Sequence, residues 1–124
     1  MRLTEDEFAA VVAESLESIP EGLEPYLEGV AVDIEAMPDR ATCERMDITD
    51  PRTLLGLYHG TPLDRRHVDA PYRWPDRIVI YQRNIERICR TRDELVRQIR
   101  KTVLHEVGHH FGMDEDDLDE LGYG

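Results

Sequence analysis

At 124 residues, 40% hydrophobic and 34% charged, the chain has the make-up of one small globular domain rather than of a disordered segment. It is acidic, with 27 Asp and Glu against 15 Lys and Arg and a formal net charge of −12. That balance argues against binding the phosphates of nucleic acid or an anionic membrane surface, and it suits a divalent cation.

The opening residues Met1 to Glu7 are polar and acidic, with no apolar signal core, and no stretch approaches the ~20 apolar residues of a membrane span. A cytoplasmic location is the expectation. Cys43 and Cys89 lie far apart and read as two unlinked thiols.

Thr4-Glu5-Asp6-Glu7 has the form of a capping box. Phe8, Val11, Val12, Leu16 and Ile19 follow at helical spacing up to Pro20, which predicts a helix over residues 5–18. Val30, Val32 and Ile34 alternate with Ala31, Asp33 and Glu35 as a half-buried strand does. The stretch from Pro38 to Pro51 reads as a polar loop. Leu54 to Gly60 reads as a second strand. A loop holding His67, Pro71, Trp74 and Pro75 follows, with Trp74 as an anchor over the core. Ile78-Val79-Ile80-Tyr81 is the strongest strand signal, four β-branched or aromatic residues in a row. Asn84 to Cys89 reads as a short turn or helix.

The last long element opens on a second capping box, Thr91 to Glu94. It carries an apolar stripe at Val96, Ile99, Val103 and Val107, and Gly112 stands where a helix C-cap belongs. An acidic run from Asp114 to Glu120 comes next, with Leu118 and Leu121 as its apolar anchors. These elements make one domain over residues 1–124. Its class is α/β (α+β): a small mixed sheet, an N-terminal helix and a long helix packed under the sheet.

His105-Glu106-Val107-Gly108-His109 lies inside that long helix. Residues i and i+4 share a face, about 40° apart around the axis, so the two imidazoles can reach one zinc ion. Glu106, about 100° further round, can address a water on the metal rather than the metal itself. The histidines oppose the apolar stripe, so one face packs and the other looks into a cleft. Gly108 is expected on the cleft side, keeping that surface open.

A catalytic zinc site takes three protein ligands and leaves one position for water. Motifs that draw the third ligand from a later helix need a long downstream stretch, and fifteen residues follow His109. Motifs that continue His-x-x-Gly-x-x-His put it six residues on. The same count reaches Glu115, with Gly112 at the turn. The expected metal ligands are His105, His109 and Glu115, with Asp114 and Asp116 as alternatives to Glu115.

The run His105 to Gly112, the acidic pair after it and Leu118 to Tyr123 resemble the zincin-like metallopeptidases of minimal size. Leu54 to Tyr58 and Arg77 to Tyr81 resemble that family's strands, so the likeness covers most of the chain from about residue 30. Glu115 departs from the aspartate usual at the family's third position. The resemblance implies a minimal zincin core holding one Zn2+.

The expected chemistry is hydrolysis of a peptide or protein substrate, with Glu106 as the catalytic general base. The alternative is a zinc-binding interaction module without turnover. Among the remaining residues, His110 reads as packed, His59 and His67 as surface histidines, and Tyr123 as a C-terminal anchor. If Ile78–Tyr81 were an edge strand beside the cleft, an extended peptide could pair with it.

Overall fold

The structure, a computed structural model, describes residues 1–60 and 76–120, without the side chains of Glu115, Leu118 and Asp119. The readings made for His67, Pro71, Trp74, Pro75, Leu118, Leu121 and Tyr123 fall outside the described residues. Both bonds of the first capping box form. Thr4 Oγ1 accepts the Glu7 amide at 3.1 Å, and Glu7 Oε1 accepts the Thr4 amide at 2.9 Å. The helix they start, α1, spans Glu5–Glu17 and buries Phe8, Val11 and Val12.

Among the described residues, three strands make one sheet: β1 (Val30–Glu35), β2 (Gly56–His59) and β3 (Asp76–Tyr81), in the order β1-β3-β2. β1 runs parallel to β3, with Val30 opposite Asp76 and Glu35 opposite Tyr81. β2 runs antiparallel to it, with Gly56 opposite Ile80 and His59 opposite Arg77.

β3 is therefore the middle strand, so the condition under which a peptide could pair with Ile78–Tyr81 as an edge is not met. Its unbroken apolar run is explained by burial on two faces. Ile78 and Ile80 join the main core, whereas Val79 and Tyr81 pack with Leu57 and Leu54 in a second cluster. β1 keeps the alternation of an edge strand, with Val30, Val32 and Ile34 half-buried and Ala31, Asp33 and Glu35 exposed.

The polar stretch after Pro38 is not simply a loop. It forms α2 (Arg40–Arg45), started by Asp39, whose Oδ1 accepts the Thr42 amide at 2.8 Å. A single 3-10 turn, Pro51–Thr53, follows and is capped by Asp50. A longer 3-10 segment, Glu21–Leu27, precedes β1. Directly after β3 the chain turns into α3 (Gln82–Ile88).

The long helix, α4, spans Arg92–His110. Thr91 Oγ1 accepts the Glu94 amide at 3.1 Å, as the capping box requires. Glu94 Oε2 does not return to Thr91; it reaches back to the Arg90 amide at 2.6 Å. α4 ends in a Schellman motif. Gly112 takes φ +81°, Met113 N donates to Gly108 O at 2.8 Å and Gly112 N to His109 O at 3.1 Å. The acidic run beyond it opens α5 (Glu115–Glu120).

α1 and α4 pack together against the sheet. The core joins Phe8, Val11 and Val12 of α1, Ile78 and Ile80 of β3, Ile85 of α3, and Leu95, Ile99, Val103, Leu104 and Val107 of α4. Each such side chain contributes about 1.5–3 kcal/mol when taken out of water. Leu95 and Leu104 are core anchors that the expected stripe omits, while Val96 is only half-buried.

Cys43 and Cys89 are both free thiols. No described helix is long and apolar enough to cross a membrane.

Candidate functional site

The site forms where α4 passes the edge of the sheet. β2 begins at Gly56, which is hemmed in by α4 and β3: a β-carbon on residue 56 would lie 2.7 Å from Thr102 Cγ2 and 3.2 Å from the Val79 carbonyl oxygen. Only glycine permits that approach. The run leading into β2 is held from behind. Asn84 of α3 is buried, and its Nδ2 donates to Pro51 O at 2.8 Å and to Leu54 O at 2.6 Å. One amide thus ties both ends of the Pro51–Leu54 segment to the body of the fold.

Between this segment and α4 lies an open cleft of about 500 Å³. Thr53, Leu54, Leu55 and Gly56 form one wall; Gln98, Lys101, Thr102, His105, Glu106 and His109 form the other. Those helical residues recur at intervals of three and four, which makes them one stripe of α4.

His105 and His109 stand at the C-terminal end of the stripe. Their rings lie 4.3 Å apart, centre to centre, and cross at 65°. Two imidazoles one turn apart on an open wall offer a pair of nitrogen donors suited to zinc. Glu106 shares the cleft and is half-buried. Burial pushes its carboxyl above the usual carboxylate range, and the charge of His109 pulls in the opposite direction.

His105, Glu106 and His109 thus meet in one cleft. Glu115 is the first residue of α5, and its side chain lies outside the described residues. Asp114 is engaged in starting that helix: its Oδ1 accepts the Asp117 amide at 2.9 Å, and Asp117 Oδ2 accepts the Asp114 amide at 3.0 Å. Asp116 is exposed. Among the described residues, no group of three or more His, Cys, Asp and Glu could hold a metal ion.

Gly108 departs from expectation. It is buried and does not line the cleft. It sits about 40° round the helix from Leu104, which faces the core. His110 packs as expected, stacked on Tyr58 with ring centres 4.1 Å apart. Tyr58 Oη in turn donates to Asp76 at 2.9 Å. His59 is half-buried at the end of β2, and burial together with Arg77 and Arg45 lowers its pKa.

The sequence reading missed the first wall of the cleft and its support, Asn84. It also missed Gln98, Lys101 and Thr102, although counting back from His105 in steps of three and four reaches all three.

A family model described as zincin-like metallopeptidase matches residues 27–124. The chain belongs to this family. The match begins after α1 and takes in the sheet, α4 and the His105–His109 run of the zincin-like chain. Among solved structures it is similar to a conserved hypothetical protein from Thermo thermophilus, with a TM-score of 0.53 and 22% identity over 96% of this chain and 97% of that one. At that identity the likeness speaks to the fold. No match was found among curated proteins.

Proposed function

We propose that this zincin-like protein is a zinc-dependent peptidase, with His105, His109 and Glu115 as metal ligands and Glu106 as general base. The observation that carries the proposal is the cleft itself: two imidazoles in ring contact and a carboxyl raised by burial share one wall of an open trough beside the sheet. His105 and His109 would each give one ring nitrogen to the ion, and Glu115 a carboxylate oxygen. Bound there, zinc supplies acidification of water and polarisation of a carbonyl.

Glu106 would take a proton from the attacking water onto a carboxylate oxygen and release it to the leaving amine. Its half-buried place on the cleft wall beside both histidines suits a group that must both accept and return a proton. The facing wall, Thr53–Gly56, would hold an extended peptide along the groove.

The test has two stages. Elemental analysis of the purified protein should find one zinc per chain, lost in His105→Ala. Glu106→Gln should keep the zinc and lose hydrolysis of a broad peptide library. Zinc without turnover in the unaltered protein would favour the interaction module instead. Absence of zinc after incubation with excess metal would end both readings.

A further inference from the structure

A second cleft of about 600 Å³ opens further back along α4, between it and the end of α3. Arg90, Arg97, Arg100 and Lys101 line it, with Glu94 as its single described carboxylate. Gln98 and Lys101 line both clefts, so the two are neighbours along α4. In a chain of net charge −12, nearly half of the 15 basic residues fall between Arg83 and Lys101.

Among the described residues, three of these lining cations, Arg90, Arg97 and Lys101, form no side-chain ion pair. Arg100 donates to Ser18 Oγ at 3.0 Å, and Glu94 is occupied by the Arg90 amide. Arg97 and Lys101 are exposed, and no described carboxylate pairs with either.

Helix geometry gives the spacing. At 1.5 Å per residue, Lys101 lies about 6 Å and Arg97 about 12 Å along the axis from His105. An extended peptide advances about 3.3 Å per residue and turns every second side chain to the same face. Lys101 and Arg97 therefore stand about two and about four residues from a bond held at the histidines. Both positions fall on one face of the peptide.

We propose that the protein selects acidic peptides, those with two carboxylates in an Asp/Glu-x-Asp/Glu arrangement on the side of the scissile bond that lies over Lys101 and Arg97. This rests on the peptidase reading for the position of the scissile bond. Its electrostatic part stands on the second cleft alone.

The experiment measures binding of short fluorescent peptides to zinc-loaded Glu106→Gln protein at low ionic strength. One peptide carries the alternating glutamates, and its control carries glutamines at the same positions. The glutamate peptide should bind roughly three- to tenfold more tightly, the range for two exposed ion pairs, and added salt should erode the difference. An Arg97→Glu/Lys101→Glu protein should lose the preference, and so should the milder Arg97→Gln/Lys101→Gln, with circular dichroism confirming that each is folded.

Equal affinities for the two peptides, or a preference unchanged in both double variants, would overturn the proposal. A wild-type protein that cleaves no peptide would remove the peptidase reading, and the binding comparison would still decide the acidic preference.

Discussion

Gly56 and Thr102 touch where the sheet edge meets α4, and the absence of a side chain at residue 56 sets the distance between the two walls of the cleft. A methyl group there would stand 2.7 Å from Thr102 Cγ2. Thr102 is buried and β-branched, so it cannot swing aside easily. Gly56→Ala should lower stability by about 1–3 kcal/mol through overpacking. It should also weaken zinc binding, because α4 carries both histidines. Urea unfolding and a zinc titration check this; an unchanged midpoint would mean that the helix has room to move.

Asn84 is the support behind the same wall. Asn84→Ala removes the donor to both Pro51 O and Leu54 O and leaves a small cavity. The expected cost is about 1–3 kcal/mol, the net worth of two hydrogen bonds, since Pro51 is exposed and Leu54 half-buried and water can reach both carbonyls. Asn84→Asp should do worse, since it sets carboxylate oxygens against two carbonyls. Faster amide exchange confined to residues 51–56 would locate the damage; exchange that is uniformly unchanged would count against it.

Glu86 gives the fold an acid-sensitive joint. It is buried, with Oε2 accepting from the Leu3 amide at 2.8 Å and from Gln82 at 3.0 Å, and Oε1 accepting from Arg83 at 2.7 Å. Burial alone would raise its pKa, but the bonds from Gln82, Leu3 and Arg83 together hold it below the ordinary 4.5. A lowered folded-state pKa means that Glu86 stabilises the protein fully above the unfolded value. That stability is lost as pH falls through the folded value. Glu86→Gln should flatten the acid limb of a stability–pH curve below about pH 5. Parallel acid limbs in the two proteins would show that other carboxylates control it.

The three acidic residues after Gly112 should separate cleanly. Glu115→Ala should weaken zinc binding at least tenfold if its carboxylate is the third ligand, as loss of a direct ligand exceeds the ~10–100-fold seen for supporting residues. Asp114→Ala should instead cost about 1 kcal/mol through the lost cap of α5 and leave most of the zinc affinity. Asp116→Ala should do neither. Isothermal titration with zinc, run beside thermal melts, distinguishes the three. Zinc affinity lost with Asp116 rather than Glu115 would move the ligand by one residue.

What could be read without coordinates was whatever repeats within a few residues. The capped, amphipathic helices at Glu5–Glu17 and Arg92–His110 and the alternation in Val30–Glu35 come from local periodicity. The placing of His105 and His109 on one face comes from the same periodicity. The six residues of α2 and the three of the Pro51–Thr53 turn are too short to show a period, although Asp39 and Asp50 mark their starts. The unbroken run in β3 already carried the sign of a strand covered on both faces, and its place between β1 and β2 leaves no open edge there for a peptide to pair with.

Strand order, the burial of Gly108 and the far wall of the cleft were beyond local reading. Each depends on which surface meets which after the chain has travelled dozens of residues. The sequence by itself determined the spacing of His105, Glu106 and His109, the helix that presents them and the acidic character of the chain. Only the tertiary structure decided that Gly56 brings β2 against that helix, that Asn84 holds the facing wall, and that Lys101 and Arg97 line the neighbouring cleft. Those are contacts between distant segments, set by packing rather than by the conformational preferences of neighbouring residues.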